Sequence, residues 1–512
     1  MRFFQTFRLS WLYIALSILL NSYIEASGQI INFDKTGRQI SRITQAGEAI
    51  DAHDGEIAHF DGAYYLYGTS YDCGFEWGNQ GAPFCGFKVY SSEDLVTWTD
   101  RGFLFDAQTA LWQDRCDGKT YGCFRPHVVF NKQNNNYVLW INVYDNIIGY
   151  RVFTSKSPVG PFTEVAEPNL AVNNDKPAKG LNNGDHDLFI DDDGQGYIAY
   201  TDWRTKGTIV IERLSTDYLT GTGECVKMVT PGSTEAPGLF KRKGRYYLTY
   251  SDPNCGYCSG TGTSYRTAPT PLGPWSEGIS ISDNSCGGQP SFVSTIKINA
   301  DEVFLYGSDL WNNAAKNEAL ANYYWAPLMF NPDGSIKPLQ CAEVYQKTRV
   351  LNHPTPGLKP DLAENTPFIS KRKVDKDAQI AQTFIPDRNG TLKELMLTVF
   401  QNNRPDKPLE IIIYKLNNGN IHSSTPLFMK SVSPSNIGWS PKKLIINPLI
   451  KVEKRNQYAI VLKTASATGY YGFLASSAKN SAFEGAMKGN NRGQGFIEPT
   501  DEVLYLRTTI KK

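Results

Sequence analysis

The stretch "DGAYYLYGTS", residues 61–70, opens on an Asp-Gly turn and runs into alternating aromatic and aliphatic side chains. That is the grammar of a hairpin whose second strand sends side chains alternately to its two faces. The same pattern returns in "NNYVLWIN" from Asn135, "DGQGYIAYTD" from Asp193, "KGRYYLTYSD" from Lys243 and "ADEVFLYGSD" from Ala300. Five units recurring at intervals of roughly 50 to 75 residues predict a repeat architecture, and sheet blades around a central channel are its natural form. The expected fold class is all-β: a five-bladed β-propeller followed by a β-sandwich of jelly-roll type. A propeller gathers residues from distant parts of the chain at one end of its axis, so this reading also says where chemistry is to be sought.

At 512 residues the chain exceeds what one hydrophobic core usually serves. Residues 1–28 carry Arg2 and Arg8, then a mostly apolar run from Leu9 to Leu20, then small residues, the order of a secretory signal peptide. Secretion to an extracellular space, or to the periplasm if the source is bacterial, is therefore expected, with no membrane span after cleavage. Residues 29–345 are assigned to the propeller, 346–376 to a Pro-rich polar linker, and 377–512 to the sandwich as an accessory domain, either carbohydrate-binding or purely structural. Seven short strands are expected in the last region, at 378–385, 392–401, 409–416, 443–447, 458–464, 470–475 and 503–509. Lys plus Arg (52) nearly cancels Asp plus Glu (51), which removes the basic field that nucleic acid would need. Nine cysteines, all before Pro354, suit an oxidising compartment. Cys73 with Cys85 and Cys116 with Cys123 are close enough to close local loops, and Cys255-x-x-Cys258 lacks the second half that structural zinc would require.

Three carboxylates stand near the starts of blades: Asp54 in "AHDGE", Asp185 in "NNGDHD" and Glu235 in "STEAPG". Asp187, two residues beyond Asp185, shares its strand face and is an alternative to it. Three blades would thus aim three acids into one channel mouth. Trp112, Trp203, Trp311 and Trp325 are candidates for stacking on sugar rings, with Trp203 and Trp311 foremost, and His53 and His127 for bonding sugar hydroxyls.

From about Ala49 to Phe330 the chain resembles glycoside hydrolase family 43. The likeness rests on "VYSSEDLVTW", "TSKSPVGPF" with its echo "RTAPTPLGPW", "DLFIDDDGQGYIAY" and "TEAPGLFKRKGRYYLTYS". The pieces "FRPHVVFN", "GGQPSFV" and "GSDLWNN" are most similar to the exo-β-1,3-galactanase branch. The resemblance implies a five-bladed propeller that removes sugar units from galactan, arabinan or xylan side chains by inversion. It implies Glu235 as general acid, Asp185 as the carboxylate that orients it and raises its pKa, and Asp54 as general base. His53, Arg125, His127, Trp203, Gln289 and Trp311 are the expected substrate-binding residues. An inverting pair must flank the sugar, roughly 6.5 to 9.5 Å apart, so that a water fits on the far side.

The chain departs from the galactanase branch at two places. That branch usually has glycine at Asp54 and uses a glutamine, here Gln289, as base, whereas this chain has both. It also has Phe124 where a glutamate usually precedes "RPHV". The expected partner is a polysaccharide or oligosaccharide, acted on by a monomer. No organic cofactor and no protein metal site is expected, although the resemblance leaves room for a structural calcium or sodium ion in the channel. The competing readings are a glycan-binding propeller that has lost catalysis, favoured by Phe124, and a retaining fructosidase, whose Asn-Asp-Pro-Asn turn is missing from the first blade.

Overall fold

The five repeat hairpins supply the inner strands of five antiparallel sheets. The computed structural model describes residues 28–33, 37–75, 83–105, 116, 122–143, 149–172, 183–254, 260–298, 301–311, 317–341, 349–350, 370–416, 425–477, 487–491, 496–500 and 502–511. The signal-peptide segment, Trp112, Cys255, Cys258 and most of the linker lie outside these residues.

Blade 1 is built, in order, from His53–Phe60, Ala63–Thr69, Phe87–Ser92 and Thr99–Phe105. Blade 2 uses Cys123–Asn131, Asn136–Val143, Tyr150–Ser155 and Thr163–Ala166. Blade 3 uses Asn183–Ile190, Gly196–Asp202, Thr208–Leu214 and Gly221–Val226. Blade 4 uses Glu235–Arg242, Arg245–Ser251, Thr263–Ala268 and Ile279–Ser282. Blade 5 has three strands among the described residues, Gln289–Ile298, Asp301–Leu310 and Asn322–Pro327. The innermost strand of each blade adjoins that of the next, and blade 5 returns to blade 1, so the ring closes.

Both faces of a blade are covered by its neighbours, which explains the density of aromatic and branched residues in these strands. A separate apolar cluster fills each of the five seams. Tyr67, Leu139 and Phe153 lie between blades 1 and 2, and Trp140, Ile198 and Tyr200 between blades 2 and 3. The seam between blades 5 and 1 holds Trp98 edge-on to Trp325, with ring centroids 5.7 Å apart. Trp325 is therefore a filler, not a sugar platform. Beside it the Asn32 side chain imitates a neighbouring strand: it donates to the Trp325 carbonyl (2.9 Å) and accepts from the Trp325 N–H (3.0 Å).

The sandwich has two sheets around one core of Leu, Ile, Val and aromatic side chains, among them Leu395, Leu397, Ile411, Ile460 and Phe473. One sheet contains Ser370–Val374, Tyr470–Ser477, Gly390–Asn402 and Lys442–Ile446, with Ile450–Val452, Glu502–Leu504 and Leu506–Lys511 paired beside them. The other runs Pro426–Val432, Leu409–Lys415, Tyr458–Lys463, Ala378–Phe384, Met487–Asn491 and Phe496–Thr500. Each of the seven expected strands overlaps one of these. The first strand, "SKRKV", falls inside the expected linker: as an edge strand beside Tyr470–Ser477 it commits Val374 to the core, so its sequence reads as polar. Disulfides join Cys73 to Cys85, Cys116 to Cys123 and Cys286 to Cys341.

Candidate active site

All five innermost strands carry one extra residue near their starts. The pairing slips between His53 and Glu56, Phe124 and His127, Asn183 and His186, Glu235 and Gly238, and Pro290 and Phe292. A bulge of this kind bends its strand and re-aims side chains. Asp54, Arg125 and Ala236 sit in these bulges with left-handed φ of 52°, 56° and 54°. Gly55 follows Asp54 because a Cβ there would lie 2.1 Å from the Tyr67 carbonyl oxygen.

Arg125 is the hub. Its Nη2 donates to Asp185 Oδ2 (2.8 Å) and to the Pro290 carbonyl (3.1 Å), and its Nη1 to the Ser291 carbonyl (2.6 Å). Its backbone N–H points to Asp54 Oδ1 at 3.4 Å. Burial alone would lower the guanidinium pKa, but Asp185, then Asp54, then Glu235 hold it above its ordinary value. One cation therefore stands within electrostatic reach of all three acids, which come from blades 1, 3 and 4.

Asp54 accepts hydrogen bonds from Thr69 Oγ1 (2.7 Å) and the Tyr71 hydroxyl (2.9 Å). Burial pushes its carboxyl up to about 7, against the pull of Arg125 and of these donors. Glu235 accepts from Gln289 Nε2 (2.5 Å), and Gln289 is held in turn by Trp311 Nε1 (3.1 Å). Burial first, and the Asp185 charge second, push Glu235 up to about 8. The acids remain 7, 8 and 6% exposed at Asp54, Asp185 and Glu235, so each keeps a sliver of contact with solvent. Near neutral pH this arrangement offers one protonated carboxyl and one partly ionised carboxylate, the pairing that acid–base hydrolysis needs.

The two histidines expected to meet substrate are fully buried. His53 turns from the bulge into the seam with blade 5, where its ring stacks on Tyr323 (4.9 Å, 7°) and its Nδ1 lies 3.3 Å from Asp309 Oδ1. His127, two residues beyond Arg125 on the same strand, sits one layer down the channel, as strand alternation requires. There its Nδ1 is 3.1 Å from Asp187 Oδ1 and 3.7 Å from Glu56 Oε2. Burial lowers the His127 pKa to about 3 and raises that of Asp187 to about 7. Asp187 thus pairs with His127, and Asp185 is the one of the two that accepts a hydrogen bond from Arg125. Glu56, His127 and Asp187 each offer a ligand atom within 4.8 Å of one another, the one such group among the described residues that could hold a cation.

Trp203 follows the second strand of blade 3 on a short 3₁₀ turn and is half-buried, its ring N–H close over Gly184. Trp311 is 4% exposed and serves Gln289 instead of offering a face. Phe124 is buried edge-on to Phe75, 5.6 Å away, in an apolar cluster. Sequence reasoning missed Asp309, Thr69, Tyr71 and Asp51. Asp309 Oδ2 accepts the Asp54 backbone N–H (3.0 Å), and Asp51 Oδ1 accepts that of Tyr71 (2.9 Å). A signal for Thr69 and Asp309 was present, since the first and fifth repeats end in "GTS" and "GSD", at the mouth end of the second strand.

Residues 48–290, which contain Asp54, Arg125, Asp185, Glu235 and Gln289, match the sequence model of Glycosyl hydrolases family 43. Over these residues, just under half of the chain, the propeller is similar to glycosyl hydrolases family 43. A β-D-galactofuranosidase of Aspergillus niger is 27% identical over 226 residues, covering 44% of this chain and 62% of its own. An arabinoxylan arabinofuranohydrolase of Bacillus subtilis is 26% identical over 266 residues, covering 46% and 51%. The chain thus spans between about half and three-fifths of the length of these two curated relatives. Among solved structures, an exo-β-1,3-galactanase from Clostridium thermocellum superposes with a TM-score of 0.50 at 19% identity, covering 93% of this chain and 99% of its own, a likeness of fold. The matched segment ends at residue 290, so the sandwich stands outside it.

Proposed function

We propose that the chain is a secreted inverting glycosidase that releases terminal galactosyl or arabinosyl units from plant-type polysaccharides. Glu235 protonates the leaving oxygen, Asp54 draws a proton from the attacking water, and Asp185 with Arg125 holds the acid in place. The observation that carries this reading is the convergence of three acids from three blades on one guanidinium. The near-burial of all three acids favours a pocket entered by a chain end over an open groove. The three disulfides support an oxidising compartment, and no helix among the described residues is long and apolar enough to cross a membrane. The relatives' names narrow the sugars to galactose and arabinose types. Phe124, buried in the apolar cluster that also holds Tyr71 and Trp311, adds no polar group beside the acids.

The test is incubation of the purified chain with β-1,3-galactan, arabinan and arabinoxylan while product anomers are followed by NMR. Release of a monosaccharide with inverted configuration is expected from one of them. Retained configuration would overturn the mechanism, and inactivity on all three would overturn the substrate class.

A further inference from the structure

The C-terminal sandwich reaches the active site through the loop that follows the second strand of blade 1. Asp72 on that loop is gripped by the sandwich: its Oδ1 accepts from the Ser440 backbone N–H (2.6 Å) and Oγ (2.8 Å), and Lys442 pairs with its Oδ2. Two glycines mark the closest approach. A Cβ on Gly74, whose φ is +91°, would lie 2.7 Å from Trp439 Cε2, and one on Gly438 would lie 2.6 Å from Asp72 Oδ1. Trp439 and Phe400 of the sandwich share a single apolar cluster with Tyr71, Phe75, Phe124 and Trp311 of the propeller.

A second grip holds blade 5. Asn317 is 1% exposed and donates to the carbonyls of Gln401 and Trp439, both at 3.2 Å, while Lys371 Nζ donates to the Leu320 carbonyl at 2.7 Å. The shared cluster carries these grips to Tyr71, which touches Asp54, and to Trp311, which stands one residue behind Glu235. The Tyr71 hydroxyl donates to Asp54, and Trp311, edge-on to Tyr71 at 5.8 Å, holds the glutamine that donates to Glu235. A surface loop without such anchors opens locally at low cost. A catalytic group is only as well placed as the residues behind it.

We propose that the sandwich is a positioning element of the catalytic site, its Ser440, Trp439 and Lys442 holding the 70–75 loop so that Tyr71 stays on Asp54. The inference rests on the reading of Asp54 as base, and it assigns the sandwich a task that sugar binding alone would not require. Tyr71 is the coupling residue, and Asp54 is otherwise faced by Arg125, Thr69 and Asp309.

The test compares the full chain with Lys442→Met and Trp439→Ala, and with Tyr71→Phe alone and combined with Lys442→Met. Lys442 is 36% exposed, so its variant folds even if Trp439→Ala does not. Hydrogen exchange at the Tyr71 amide, which donates to Asp51, is read whether or not any glycan is cleaved, and should quicken about tenfold or more in Lys442→Met. Unchanged exchange would overturn the proposal. On a cleaved substrate, Lys442→Met should lower kcat more than it raises KM and should move the acid limb of the pH profile upward, as Tyr71→Phe does. The double variant should be no worse than Tyr71→Phe, and additive losses would show that the sandwich does not act through Tyr71. If Glu235→Gln stays active while the exchange result holds, the hydrolytic reading falls and the clamp stands.

Discussion

Replacing Thr69 with Val removes a buried hydroxyl that donates to Asp54 Oδ1 at 2.7 Å and leaves a side chain of the same shape. In the wild type the working protonation state has Asp54 ionised, with its carboxyl at about 7, and Glu235 protonated, with its carboxyl at about 8. The fraction of enzyme in that state peaks at about 0.6 near pH ~7.5 and falls to about 0.03 at pH ~5.5, a loss of about twentyfold. A hydrogen bond to a charged group contributes about 1.5–3 kcal/mol. At about 1.4 kcal/mol per pKa unit, losing it raises Asp54 by about one unit or more. The sign follows from which form the hydroxyl favours: it stabilises the anion, so its removal makes the proton harder to lose and the acid limb moves to higher pH. The limb then meets the alkaline one near pH ~8, the peak fraction falls to about a quarter, and activity at pH ~5.5 drops by about a further tenfold. Initial rates at low substrate concentration from pH ~5 to ~10 give kcat/KM and both limbs. An acid limb that stays in place, or moves down, would refute Asp54 as base.

Three further outcomes are expected. Glu235→Gln should lower kcat on a natural glycan by about 10²- to 10⁴-fold, with a much smaller loss on an aryl glycoside whose leaving group needs no proton; equal losses on both substrates would argue against an acid at this position. Asp185→Asn removes a charge that raises the Glu235 pKa, so the alkaline limb should move below its wild-type position, and an upward move in the same rate-against-pH measurement would contradict the pairing. Replacing Cys286 and Cys341 together with Ser opens a 55-residue loop at blade 5. Urea unfolding should then show a stability loss of about 4 kcal/mol on the chain-entropy estimate.

The propeller was legible because its signal is local. Each hairpin carries its own turn and alternation within about ten residues, and "DGAYYLYGTS" announces a strand pair wherever it sits. Asp54, Asp185 and Glu235, which the structure brings around Arg125, were picked out by the same route, since each lies seven or eight residues before such a hairpin's turn. Both histidines are buried, and the bulge that turns His53 into the seam shows only in the pairing register with the next strand. Thr69 and Asp309 carried only a weak mark, the polar ends of two repeats, Tyr71 none, and Trp439 none at all. Its partner Gly74 lies 365 residues away.

The amino-acid order alone thus determined that this protein is a ring of similar sheets followed by a second β domain, because turn chemistry and strand alternation act between neighbours in the chain. Only the tertiary structure decided that one arginine gathers Asp54, Asp185 and Glu235, that burial raises the proton affinity of Asp54 and of Glu235, and that the second domain braces the loop behind one of them. Such effects depend on distances and desolvation between residues hundreds of positions apart, which become real only when the ring closes and the sandwich docks.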